Sequence, residues 1–321
     1  PGHYWTTLSI VLSIITIILG VELVIGNLGN GFIALVNIID WINRTKISSV
    51  DQLLTALAVS RIALLWVTFL NKLLSVLYPT VFWSVEIIKM ANIIWIASNH
   101  FQMWLATDLS IFYFLKIANF SNSTFHYLKW RVEKVISGTL LVSLVLLFLS
   151  IELVNTHTDF SIVEYTRTTT VNSSSNESLY SPNHFLLSYT IITAIPFIIS
   201  LTAFLLLIFS LWRHRRKMQF SSIGSRDAST EAHLRGMQSV VAFLLLYAVF
   251  FLFLVMQLFF YWLQQEVVIT MLCHVFTLAF PSGHTYILIL QNKKLRQASL
   301  SVLRCLKRSF KGAETSFPST S

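Results

Sequence analysis

Charge is what this sequence has least of. Asp, Glu, Lys and Arg make up 12% of its 321 residues, about half the roughly 25% share of an ordinary soluble domain. Hydrophobic residues reach 55% and the mean hydropathy is +0.69. A water-soluble globule of this length needs far more polar surface, so a cytosolic enzyme and a disordered chain are both excluded. Cysteine is nearly absent. Cys273 lies inside an apolar run and Cys305 beyond the last one, so no disulfide framework exists. Catalytic motifs are missing too: no Gly-rich phosphate loop, no metal-binding His pair and no Gly-x-Ser-x-Gly. No catalytic residue, cofactor or metal is assigned, and no nucleic-acid partner is expected. The alternation of a β-barrel is absent, and no internal repeat suggests a transporter of duplicated halves.

What the chain does have is long apolar runs. A membrane helix needs roughly 20 mostly apolar residues, and seven runs qualify: Leu8–Val36, Leu53–Leu77, Ile87–Leu115, Val135–Val154, Phe185–Leu211, Val240–Trp262 and Val267–Leu290. The expected fold is an all-α membrane protein, a seven-transmembrane-helix bundle. The first run is too long for a signal-peptide core and reads as a retained span. The chain begins at Pro1, and whether residues precede it is left open.

The few charges fix the orientation. Nineteen of the 23 Lys and Arg fall in alternate connections or after the last run, and only Arg61, Lys72, Lys89 and Arg167 do not. The positive-inside rule puts the N-terminus outside and the C-terminus in the cytosol of a multi-pass plasma-membrane protein. The connection after the fourth run then faces outward. It carries Asn172-Ser173-Ser174 and Asn176-Glu177-Ser178, so Asn172 and Asn176 are expected glycosylation sites. After the seventh run, Leu295, Leu300, Leu303 and Leu306 are interleaved with Lys and Arg. This is the pattern of an amphipathic helix 8 on an anionic inner leaflet, with membrane lipid as partner. Three regions are expected: 1–291 as the seven-span domain, 292–310 as the surface helix and 311–321 as a short disordered tail.

Polar groups inside apolar runs are costly, and each is a functional candidate by default. Arg61 is the most expensive. Asn27, Asn30 and Ser60 are the expected acceptors for its guanidinium, either as a polar clamp or as a switch. In the third run Trp95, Asn99, Gln102 and Met103 follow helical spacing and share one face. An aromatic wall with amide groups suits a mostly apolar ligand with a few polar atoms; helix–helix packing through the same stripe remains open. His100 is one step off the stripe and reads as a packed polar contact.

Several strings now carry a resemblance. They are Gly26-Asn27-Leu28-Gly29-Asn30-Gly31-Phe32-Ile33, Leu57-Ala58-Val59-Ser60-Arg61, Asn99-His100-Phe101 with Trp104-Leu105-Ala106-Thr107, and Phe112-Tyr113-Phe114-Leu115-Lys116-Ile117-Ala118-Asn119-Phe120-Ser121. Further along come Phe243-Leu244-Leu245-Leu246-Tyr247, Pro281-Ser282-Gly283-His284 and Asn292-Lys293-Lys294-Leu295-Arg296. The chain resembles the bitter taste receptors, the type 2 taste receptor branch of the G-protein-coupled receptors. One departure is His284-Thr285 where the family usually reads His-Ser; the hydroxyl is kept.

The resemblance implies a receptor for bitter small-molecule agonists that activates a heterotrimeric G protein with a gustducin-type alpha subunit. It implies a ligand pocket near the outer ends of the spans, lined by Trp66, Trp95, Asn99, Phe250, Leu254 and His274. Arg61, Tyr247 and His284 would form the activation switch, with Tyr247 at the pocket floor. Lys116, Arg213, Arg216 and Lys217 would contact the acidic G protein. Another seven-span chemoreceptor family, or a transporter or channel, is the alternative. If His274 faces ligand, agonist potency will differ between about pH 6 and about pH 8, where imidazole changes charge. Equal potency at both, in a cell-based signalling assay, removes His274 from the pocket.

Overall fold

A computed structural model describes residues 2–43, 48–78, 85–170, 182–219, 241–256 and 267–315. Among these residues every regular element is a helix. They are α1 (Gly2–Asn43), α2 (Ser49–Leu77), α3 (Val85–Ile117), α4 (Ser123–Trp130), α5 (Val132–Thr170), α6 (Pro182–Gln219), α7 (Val241–Met256), α8 (Val267–Gln291) and α9 (Lys293–Thr315). The apolar runs fall on α1, α2, α3, α5, α6, α7 and α8. Among the described residues four stretches are long and apolar enough to cross a bilayer: Ser13–Asn43, Ser49–Asn71, Val132–Leu153 and Thr190–Arg213. At 42 residues, α1 spans about 63 Å at 1.5 Å per residue, well beyond a hydrocarbon core of about 30 Å.

Caps mark where helices begin. The Ser48 side chain accepts from Asp51 N at the start of α2 (3.2 Å), and Asn122 Oδ1 accepts from Thr124 N at α4 (2.9 Å). Asn292 Oδ1 takes Lys294 N and Leu295 N at 3.0 and 3.3 Å, so α9 starts afresh one residue after α8 ends. The short α4 is held by Phe125, which meets both Phe114 and Phe120 edge-on, and by Lys129 Nζ donating to Ala118 O at 3.0 Å.

The distribution of side chains is inverted relative to a soluble domain. Arg61, Asn30, Gln102, Thr107, Asp108, Ser143, Ser200 and Thr285 are all fully enclosed, while Ile17, Leu28, Ile42, Leu141, Phe148 and Leu245 are wide open. Water would not tolerate so much exposed apolar surface; lipid prefers it. This is the signature of a helical membrane protein. α3 sits centrally and packs on α2, α5 and α6, while α1 packs on α2 and α8. Gly26 permits that last approach. A Cβ there would stand 2.4 Å from Leu65 Cδ1 and 2.8 Å from Ser282 Oγ, so α1, α2 and α8 converge on its bare Cα.

An ion cluster ties the start of α9 to α1 and α2. Lys294 Nζ lies 2.8 Å from Asp40 Oδ2 on α1 and 3.2 Å from Asp51 Oδ2 on α2. Asn37 Nδ2 reaches Thr55 Oγ1 (3.2 Å) and Asp51 O (3.4 Å) beside it. Leu295 next to the lysine is fully buried in the main core. Because Lys294 is about a third exposed, the cluster is screened and contributes on the order of 1 kcal/mol. Lys294→Met should lower the thermal inactivation midpoint of the purified protein by a few degrees. Asp40→Asn should cost less, since Asp51 still holds the lysine. Equal losses for the two variants would show that the pairing is not shared.

Candidate functional site

Arg61 is the node of the site. Its Nη1 donates to Thr285 Oγ1 at 3.1 Å, and its Nη2 pairs with His284 Nδ1. A guanidinium has no acceptor, so His284 Nδ1 must accept, and that places the ring proton on Nε2. Thr285 Oγ1 passes the chain on to Asn30 Oδ1 at 2.8 Å, while Asn30 Nδ2 is spent on Gly26 O, one turn back. The expected acceptors are therefore corrected. Asn27 Oδ1 takes the Trp66 indole instead (3.2 Å), and Ser60 Oγ donates to Leu57 O. Asn30 joins at second hand. The guanidinium points across the bundle to α8, whose His284-Thr285 pair holds both acceptors.

From His284 an unbroken aromatic path runs to Tyr247. The imidazole packs on Phe243, with ring centroids 4.4 Å apart. Phe243 meets Tyr247 at 5.4 Å, and Phe280 stacks on Tyr247 at 5.3 Å. Phe250 lies 5.0 Å from Phe280, and Phe197 of α6 meets Tyr247 edge-on at 5.1 Å. Tyr247 and Phe250 are thus both core residues, and Leu254 is buried one turn further along α7.

A pair of hydroxyls lies against this aromatic group. Thr107 Oγ1 on α3 donates toward Met103 O (3.0 Å) and Pro196 O (3.2 Å), and it accepts from Ser200 Oγ of α6 at 2.9 Å. Pro196 has no N–H, so it cannot donate back to the Ile192 carbonyl one turn earlier. Sequence reasoning noted the Thr285 hydroxyl only as a departure beside His284 and gave Thr107 and Ser200 no role. Hydroxyls in membrane helices commonly back-bond to their own turn, so nothing in the sequence marks these two as bonded across helices.

Of the residues expected to line a pocket, Asn99 borders a cavity of about 20 Å³ enclosed by Ile96, His100, Met103, Ser150, Thr193 and Pro196. His100, expected as a packing contact, is part of that wall and also hydrogen-bonds the Ser143 backbone. Trp95 packs half-buried beside the Ile96–Leu147 cluster, and Trp66 is half-exposed on α2 with Phe69 edge-on at 6.4 Å. His274 falls on α8, but its side chain lies outside the described residues, as does that of Lys217. Asn172 and Asn176 also lie outside them. A second void of about 10 Å³ borders Ser110, Tyr113, Phe243 and His284.

At the C-terminal ends of α3 and α6, Lys116 is exposed over Phe112 (5.7 Å) and Arg216 over Trp212 (5.3 Å), and Arg213 is exposed nearby. Cys305 is free and exposed. Among the described residues no three His, Cys, Asp or Glu gather as metal ligands.

Each acceptor stranded in this interior costs about 1–3 kcal/mol, against a total stability of about 5–15 kcal/mol. Arg61→Met keeps the volume and strands the acceptors on His284 and Thr285. It should cut the surface-exposed fraction of an epitope-tagged protein several-fold. A wild-type fraction would mean that the fork does not hold α2 to α8.

Comparison with known proteins agrees with this architecture. The taste receptor protein (TAS2R) family model matches residues 7–307. Taste receptor type 2 member 14 of Pongo pygmaeus is 52% identical over 309 residues, and that of Homo sapiens 52% over 310, each alignment covering 96% of both chains. Taste receptor type 2 member 109 of Rattus norvegicus is 50% identical over 299 residues, covering 92% of both. The match runs through every helix that carries the Arg61 node, the aromatic path and the Asn99 cavity: the chain belongs to the type 2 taste receptors, the bitter taste branch of the G-protein-coupled receptors.

Proposed function

We propose that this receptor is a seven-span bundle at the plasma membrane, N-terminus outside and C-terminus in the cytosol, that binds bitter small molecules between the outer halves of its helices. Receptors of this family take small-molecule agonists and signal through G proteins. For this chain the proposed transducer is a heterotrimer with a gustducin-type alpha subunit. Residues 1–291 form the receptor domain and 292–310 the surface helix; the expected tail from 311 is helical as far as Thr315, where α9 ends. Asn172 and Asn176 carry the glycans of the outer connection.

The observation that carries the pocket reading is the buried polar face of α3 at Asn99, beside a cavity with room for about one water between α3, α5 and α6. A ligand seats there only if these helices part, next to Pro196, whose carbonyl bonds Thr107. Trp66 and Trp95 supply stacking surfaces for apolar or cationic compounds, worth about 0.5–2 kcal/mol each with a cation. Phe250, Leu254 and His274 complete the proposed lining. With few polar anchors, affinity is modest and ligand choice broad.

Activation is a population shift, and a ligand moves it only by its differential affinity for the two states. Tyr247 moves, Arg61 and His284 relay the change to the inner half, and the inner end of α7 swings to admit a G-protein helix. Lys116, Arg213, Arg216 and Lys217 meet that acidic partner. The exposed leucines of α9 at 300, 303 and 306, set among Arg304, Lys307 and Arg308, support a resting place on anionic lipid.

In cells expressing the chain with a gustducin-type G protein, a bitter-compound panel should evoke a response. Trp95→Ala should abolish that response at normal surface expression. An unchanged response removes the pocket from this face of α3.

A further inference from the structure

The joint between α4 and α5 carries a surface with no part in the pocket or the switch. Trp130 closes α4, and Val132 opens both α5 and its stretch long and apolar enough to cross a bilayer. Arg131 is the single residue between them. Its N–H bonds back to Tyr127 O at 3.2 Å, and its carbonyl takes Val135 N at 3.1 Å, so it ends one helix and starts the next. At 1.5 Å per residue, Trp130, Arg131 and Lys134 all lie within about 5 Å of the apolar edge along the chain. That is headgroup depth, since the polar layer adds about 5–8 Å on each side of the hydrocarbon.

Trp130 is 78% exposed and Tyr127 55%. The Arg131 guanidinium lies over both rings, 5.0 Å from the Tyr127 centroid and 5.3 Å from that of Trp130. Stacking engages the flat face of a guanidinium and leaves its N–H edge to donate, which suits a phosphate. Lys134 is exposed on α5. Leu141, Val145 and Phe148 follow it at helical spacing on the same face, and all three are wide open. Lys134 therefore heads the lipid-facing side of α5. Arg131 and Lys134 stand three residues apart, the spacing of neighbours on a helix surface.

The charge here is one-sided. Between Asn119 and Ser137 the only acid is Glu133, and it accepts from Ser49 Oγ of α2 at 2.6 Å. Lys129 turns inward, to Ala118 O and over the Phe125 ring. Arg131 and Lys134 are the cations left to the surface. Trp and Tyr favour the boundary between membrane and water. An aromatic pair around a cation, at headgroup depth and continuous with a lipid-facing side, fits an anionic lipid.

We propose that Arg131, clamped by Tyr127 and Trp130, forms with Lys134 a binding site for the phosphate headgroup of an anionic lipid. The inference rests on the proposed orientation, which puts this end of α5 at the cytosolic leaflet, where anionic lipids concentrate. It is separate from α9. A lipid seated there steadies α4, whose Phe125 packs on Phe114 at the end of α3.

The full-length receptor, purified in a neutral detergent, tests the site. A short-chain phosphatidylinositol phosphate and phosphatidylcholine of the same chain length are titrated in turn, and bound lipid is counted by native mass spectrometry. Arg304→Gln, Lys307→Gln and Arg308→Gln are present throughout, so that α9 does not enter the count. Arg131→Gln and Lys134→Gln should each weaken binding of the anionic lipid about fivefold, the weight of one cation at an anionic surface. Trp130→Leu keeps every charge and should still weaken it about threefold, because the guanidinium loses its platform. Lys293→Gln removes an exposed cation elsewhere and should stay within about twofold of the parent.

Undiminished binding in any of the first three variants, equal binding of phosphatidylcholine, or an equal loss from Lys293→Gln overturns the site. Should Arg131→Gln not purify, Lys134→Gln and Trp130→Leu carry the comparison. The orientation is read separately. In a Cys305→Ser receptor, His126→Cys on the exposed side of α4 should react with an impermeant maleimide only after cells are permeabilised. Reaction on intact cells overturns the orientation and takes the inner-leaflet site with it. Reaction only after permeabilisation, with lipid binding unmoved by the variants, leaves the orientation standing and removes the site.

Discussion

A bilayer interior offers no water, so a polar group there either finds a partner within the protein or remains a standing cost. Everything specific about this chain follows from that constraint. The apolar surface needs no design beyond facing outward. It is the small set of buried polar side chains that decides which helices meet, at what depth and in what rotation. Arg61 requires α8 because His284 and Thr285 hold its acceptors. Thr285 requires α1 because Asn30 continues the chain. Thr107 requires α6 because Pro196 O and Ser200 meet it there. Hydrophobic matching against lipid would tolerate many bundle geometries; these bonds tolerate few.

The two polar nodes differ in kind. The Arg61 node uses both hands of its fork on neutral groups and ties helices one, two and eight at a point where Gly26 has already removed the space between them. It reads as a fixed bearing. The Thr107 node joins α3 to α6 through two hydroxyls and the Pro196 carbonyl, with no formal charge. A receptor needs both, since a change at one end is transmitted only if something in between does not yield.

Much of the fold was legible from the sequence because its strongest signals are long. A long apolar run needs no tertiary information to be read as a helix, and α3 and α8 begin within two residues of the expected limits. The site was legible unevenly. Asn99 could be placed on the inner face of α3 by spacing alone. The partners of Arg61 could not, because spacing identifies residues on one helix and says nothing about which neighbour a long side chain reaches. Asn27 and Ser60 were natural acceptors by their positions in the sequence, yet Asn27 Oδ1 is taken by the Trp66 indole and Ser60 donates within its own helix. The lysine at 294 looked like one of many interfacial cations; its two carboxylate partners lie some 250 positions away, on α1 and α2.

That lysine opens a short stretch in which adjacent residues do different work. Asn292 closes the helix start, Lys294 reaches the carboxylates of α1 and α2, and Leu295 drops into the core. Together they leave α9 no freedom to roll about its axis. Every later side chain inherits its depth from this first turn, Leu303 and Arg304 alike. An α-helix advances about 100° per residue, so a single residue inserted after Leu295 would turn the leucines and the arginines that follow it by that angle about the helix axis, with no change in composition.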